Sequence, residues 1–176
     1  MALASVAVFN SPAAHAASCG GAVGYPGDAA TTVEVANGMA NGAIAKKLPG
    51  ELPVMAGLVE SGLRNLNYGD ADSVGFFQMR TSFWDKAPYK GYLKNPDLQL
   101  QWFTDQAAAV RSNYIAKGKG DPATSDATYG VWIADIERPA AQYRGRYQLR
   151  IKEARDLISQ TCPDLVGVNV LAPTSS

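Results

Sequence analysis

The sequence predicts a single, mainly α domain, on three observations. The chain has 176 residues, within the ~100–200 that make one domain with a proper core. Apolar residues recur at helical spacing along most of it. Only Asn65 to Met79 is too rich in Asn, Gly and Asp for a helix. That segment reads as loop, with a short β-hairpin expected near residues 68–79.

The elements follow in order. Cys19 to Ala30 is Gly-rich loop. Thr31 is the expected N-cap of a helix running toward Lys47, with Glu34 three residues on to complete a capping box. Pro49-Gly50 breaks it. Leu52 to Leu63 reads as a second helix, with Leu52, Met55, Leu58 and Val59 on one side and Pro53 tolerated in the first turn. Asn95-Pro96 opens the clearest helix, carrying Trp102, Phe103, Ala107, Val110 and Tyr114 to a stop at Gly118. A short helix is expected from Asp126 to Glu137, ended by Pro139. A last one, Ala140 to Ser159, should bury Tyr147, Ile151, Ala154 and Ile158. Residues 163–176 read as a loose tail, and 19–162 as the folded domain.

Composition excludes several chemistries. Hydrophobic residues make up 47% and charged residues 18%, a globular balance. Lys+Arg and Asp+Glu both number 16, so the neutral chain has no overall attraction to nucleic acid. No apolar run approaches the ~20 residues that span a bilayer, so stable membrane insertion is not expected. The one histidine, His15, lies in an Ala-rich leader. A Ser-His-Asp triad, a Cys-His dyad and a His-based zinc site are therefore excluded, and no metal or cofactor is expected. Acid–base work would fall to carboxylates.

Residues 1–18 combine a short apolar run with Ala14-His15-Ala16, the shape of a signal-peptidase site, but lack a basic start. A signal-peptide remnant and a flexible leader both fit, and the first is preferred. Cys19 and Cys162 are the only cysteines. They suit either a bridge formed in an oxidising compartment or two independent thiols, and the leader favours the bridge. In the chain-entropy model so long a loop contributes roughly 5 kcal/mol.

The informative stretch is Val59 to Arg80. Glu60 sits in the final turns of the second helix, on a face shared with Met55, Ala56 and Leu63, and a carboxylate against apolar surface should hold its proton tightly. A general acid working near neutral pH needs that property. Ser61-Gly62 follows, and after the loop come Ser73-Val74-Gly75-Phe76-Phe77-Gln78. Gly75 lets backbone approach a ligand, and Gln78 offers a donor and an acceptor. A solvated Glu60 and a hairpin-capping Gln78 are the plain alternatives.

Together, Glu60-Ser61 and Gly75-Phe76-Phe77-Gln78 resemble the lysozyme-like lytic transglycosylase superfamily, in its secreted and phage-associated members. Phe76 stands where Leu is usual. The resemblance covers roughly Leu48 to Ile158. It implies a lysozyme-like (goose-type) fold that cleaves the β-1,4 bond between N-acetylmuramic acid and N-acetylglucosamine, with Glu60 as general acid/base. Ser61, Ser73, Gly75, Phe77 and Gln78 would border the glycan. Ala127-Thr128-Tyr129-Gly130 departs from the family's Ala-Tyr-Asn-x-Gly motif by lacking the Asn, leaving Tyr129 and Trp132 as candidates for sugar stacking.

Asp70 and Asp72 are the candidate second carboxylates that hydrolysis would need, ~5–5.5 Å away for retention or ~6.5–9.5 Å for inversion. Turn chemistry is the alternative for both. Lytic transglycosylation needs only Glu60, and the resemblance favours it. The expected partner is the peptidoglycan glycan strand. The protein is expected to be a secreted or wall-associated monomer, or alternatively part of a phage tail or secretion assembly. A non-catalytic wall-binding or phage-tail structural module on the same scaffold is the competing reading.

Overall fold

A computed structural model of the chain describes residues 23–168 and residue 170. The leader, Cys19 and residues 171–176 lie outside the described residues, so the expected bridge does too. Cys162 is fully buried.

The chain is mainly helical. Helix α1 (Thr32–Ala45) begins with the expected capping box. The Thr31 amide donates to the Glu34 carboxylate at 2.7 Å, and the Glu34 amide returns the bond to Thr31 Oγ1 at 3.3 Å. Small residues on α1 allow close packing: a Cβ on Gly42 would lie 2.6 Å from the Leu100 side chain. Helix α2 (Glu51–Glu60) is buried from Glu51 to Leu58. A helix covered on all sides belongs at the centre, and α2 contacts α1 and the three longer helices that follow the hairpin.

Those later elements wrap α2. Strands β1 (Ser73–Val74) and β2 (Met79–Arg80) pair antiparallel, Ser73 opposite Arg80 and Val74 opposite Met79. A single turn, α3 (Thr81–Trp84), follows. Helix α4 (Pro96–Ala116) starts at the expected Asn95-Pro96 and buries Trp102, Phe103 and Ala107. Helix α5 is Tyr129–Glu137, and α6 is Ile151–Ser159.

Two expectations need correction. The last helix is not continuous from Ala140. Residues Ala141–Arg146 and Gln148–Arg150 are wound as 3-10 helix, and only from Ile151 does the α form begin. Gly130 of α5 explains the change: its amide donates to Gln148 Oε1 at 2.7 Å, and a Cβ there would meet the Gln148 backbone at 2.7 Å. Tertiary contact holds this segment close against α5 in the tighter form, and Tyr147 is buried within it. The start of the expected loose tail is also packed. Pro163–Leu165 forms a 3-10 turn with Leu165 buried, and the Gly167 amide donates to the buried Glu51 carboxylate at 2.9 Å. Among the described residues no helix is long and apolar enough to cross a membrane.

Candidate functional site

Glu60 is the last residue of α2, and its half-buried carboxylate accepts from the Tyr147 hydroxyl at 2.6 Å. Burial pushes the Glu60 carboxyl above the ordinary carboxylate range. The Tyr147 hydrogen bond and the Arg146 charge pull the other way and only partly offset it. Tyr147 itself is held fully protonated by burial and by the charge of Glu60, so it acts as a donor.

The helix stops here for a local reason. Gly62 and Leu63 both take left-handed backbone, φ +65 and +57. The amides of Ser61 and Leu63 both bond the Gly57 carbonyl at 3.0 Å. Ser61 is buried, and its hydroxyl donates to the Phe76 carbonyl at 2.8 Å. Its role in the structure is to tie the end of α2 to the hairpin turn. Ser73 likewise is buried in the β1–β2 ladder.

The hairpin turn is locked from α4. Gln99, fully buried, accepts from the Phe76 amide at 2.7 Å and donates to Asn65 Oδ1 and the Tyr92 carbonyl. Gly75 is required beside it: φ is +84, and a Cβ would sit 2.2 Å from Gln99 Oε1. Phe77 is core, stacked on Phe103 at 4.7 Å between ring centroids. Gln78 has φ +46 and donates to the Gly75 carbonyl at 3.2 Å and the Tyr68 carbonyl at 3.3 Å.

Gln78 lines a cleft of about 490 Å³ between the hairpin, α3, α4 and the end of α5. Phe83 and Trp84 form part of its apolar wall, Phe83 being 58% exposed. Glu137 and Trp102 also line it, and each carries a buried polar atom without a partner, Glu137 Oε1 and Trp102 Nε1. Native proteins rarely leave buried polar groups orphaned, although Asn37, Asn41 and Glu51, away from the cleft, also carry such atoms. Burial, reinforced by the charge of Glu60, holds the Glu137 carboxyl well above the ordinary range. Arg138, which ends α5, and Gln78 both adopt left-handed backbone on this cleft. Such strain costs ~1–3 kcal/mol per residue and concentrates at functional sites.

Glu60 is not one of the cleft walls; the Glu60 and Glu137 carboxyls interact electrostatically, and both act on Tyr147. Two half-buried carboxyls and one buried phenol thus form a proton-holding cluster. It is equipped to donate a proton and to stabilise the carboxylate left behind.

The other sequence candidates fall elsewhere. The Asp72 carboxylate pairs with Arg80 and accepts from Thr81 Oγ1 at 2.9 Å and the Ser82 amide at 2.6 Å. The Ser82 bond first, then Arg80, holds it well below the usual carboxylate range. It caps the turn into α3. Asp70 is exposed in the loop, where its carbonyl accepts from the Ser73 amide. Glu137 is the carboxyl that interacts electrostatically with Glu60.

The aromatic assignment also changes. Trp132 is fully buried, its indole donating to the Ala107 carbonyl at 3.1 Å, so it presents no face to a sugar. Tyr129 is buried, and its hydroxyl is pushed up to about 12 by burial and by Glu51 and Asp126, with Arg155 opposing. Glu51, whose charge acts on Tyr129, and Glu60 are at opposite ends of α2. Phe83 and Trp84 are, with the buried Phe77 and Trp102, the aromatics that line the cleft. Among the described residues no group of His, Cys, Asp and Glu is arranged to hold a metal ion.

Comparison of the chain with protein-family models, with curated proteins and with solved structures gives no match.

Proposed function

We propose that the chain is a peptidoglycan-cleaving glycosidase of lysozyme-like fold. It would act on the β-1,4 bond between N-acetylmuramic acid and N-acetylglucosamine, with Glu60 as general acid and then base. One observation carries the reading: Glu60 combines a half-buried, proton-retaining carboxyl with the Tyr147 donor and an interacting second carboxyl, Glu137, on a cleft wall. General acid catalysis at a glycosidic oxygen needs a carboxyl still protonated near neutral pH.

The state of Glu137 favours transglycosylation over hydrolysis. Burial holds the Glu137 carboxyl well above the ordinary range, and a carboxyl in its neutral form is a poor nucleophile or water-activating base. That leaves Glu60 to serve both steps. It passes its proton to the leaving glycosidic oxygen, and the carboxylate formed takes the proton of the muramic 6-hydroxyl as that oxygen closes the anhydro ring. The Tyr147 hydroxyl stabilises Glu60 while it is ionised between these steps. Gln78, with side-chain donor and acceptor on the cleft, suits an N-acetyl group.

The test is digestion of purified peptidoglycan by wild type and Glu60→Gln, with the fragments read by mass spectrometry. Anhydro products, one water lighter than hydrolytic ones, are expected from the wild type and none from the variant. Fragments ending only in reducing muramic acid mean hydrolysis, and no fragments from the wild type mean that the enzymatic reading is wrong.

A further inference from the structure

The cleft carries positive charge that the protein does not itself neutralise. Arg80, Lys86 and Arg138 all line it. Arg80 is satisfied by Asp72 and lies over the Phe83 ring at 5.5 Å. Among the described residues Lys86 and Arg138 have no carboxylate partner. Among the described residues the one acid on the walls is Glu137, whose carboxyl burial holds well above the ordinary range, so it offsets them less than an ordinary carboxylate would. In a chain with zero net charge this is a local feature, and a cleft with walls of one sign concentrates ligand of the other.

We infer that Lys86 and Arg138 form a subsite for the carboxylates of the peptide carried by the muramic sugar, so that the enzyme prefers peptide-bearing strands to bare glycan. The inference rests on the proposed glycan cleavage. The glycan itself is neutral apart from the muramic lactyl group, whose carboxyl is amidated where a peptide is attached. The peptide then supplies the anionic groups next to the scissile bond. Apolar surface beside the cations favours a short peptide with aliphatic side chains over a hydrophilic phosphate polymer, since Phe83 and Trp84 stand on the same walls. Arg138 is set in place by its left-handed backbone, φ +54, at the end of α5.

Binding tests this separately from cleavage. The probe is the N-acetylglucosaminyl–N-acetylmuramic acid disaccharide bearing a tetrapeptide, compared with the same disaccharide whose muramic carboxyl is a simple amide. Neither contains the bond to be cut, so the wild-type full chain can be used whether or not it proves to be an enzyme. Calorimetry should show the peptide form binding about tenfold more tightly, as expected for two partly exposed ion pairs. The difference should shrink as salt is raised. It should vanish in Lys86→Gln with Arg138→Asn, Asn being chosen because it tolerates left-handed backbone. The variant should keep the wild-type melting temperature and its affinity for the amide form. Equal binding of the two disaccharides, or a preference that survives in the double variant, would overturn the subsite. So would inorganic polyphosphate binding more tightly than the peptide form and displacing it, which would identify a phosphate-polymer site.

Discussion

The Tyr147 hydroxyl donates to Glu60 Oε1 at 2.6 Å across 87 positions of chain. That bond stabilises the ionised form of a carboxyl that burial would otherwise keep protonated. Removing it in Tyr147→Phe should raise the proton affinity of Glu60 further. The alkaline limb of the kcat/KM profile for peptidoglycan cleavage should then move to higher pH, because the acid stays protonated longer. The maximal rate should fall, because the carboxylate between the two steps loses its donor. A profile that overlays the wild type would separate Tyr147 from the chemistry.

Glu137 makes a prediction about stability. Its folded-state proton affinity exceeds the ordinary value of 4.5. The folded state therefore holds a proton that the unfolded state has released. Its contribution is greatest below pH about 4.5 and is lost as pH rises toward the raised folded value. Glu137→Gln removes that titration. The melting temperature of the variant relative to wild type should climb from pH 4 to pH 7. Parallel curves for the two proteins over this range would show that the carboxyl titrates normally.

Gly75→Ala tests the lock on the hairpin turn. Left-handed backbone and a contact of 2.2 Å with Gln99 Oε1 both oppose a methyl there. The strain should cost ~1–3 kcal/mol, lowering the melting temperature by several degrees at ~2–4 °C per kcal/mol. Cleavage should fall further than stability, because Gln78 depends on the same turn. An unchanged melting temperature would mean that Gln99 gives way freely.

Asp72→Asn separates capping from catalysis. The variant weakens the Arg80 pairing and the turn into α3, so the melting temperature should drop modestly. The rate of wall lysis below that temperature should stay within a few-fold of wild type. A loss comparable to that of Glu60→Gln would restore Asp72 as a catalytic carboxylate.

Features written in local sequence were legible. The Thr31–Glu34 capping box, the Asn95-Pro96 start of α4 and the end of α2 after Glu60 depend on residues within a turn of one another. The criterion that singled out Glu60, an acid beside apolar surface at a helix end, applies equally to Glu137. That residue closes the apolar α5 (YGVWIADIE), where no motif accompanies it. Gln99 was invisible for another reason: its partners Asn65, Phe76 and Tyr92 are brought to it only by the fold. The motif comparison offers Tyr129 and Trp132 as candidates, but which neighbours their side chains meet is a tertiary fact. The 3-10 winding around Tyr147 was hidden likewise, since contact between Gly130 and Gln148 accompanies it.

The most direct measurement is the rate at which Glu60→Gln clears a suspension of purified cell walls, beside its melting temperature. The amide keeps the shape of the carboxyl but has no proton to give the leaving oxygen. The rate should fall by about 10²–10⁴-fold while the fold stays cooperative and at least as stable at pH 7. Clearance at close to the wild-type rate by the folded variant would contradict the assignment of Glu60 as the acid.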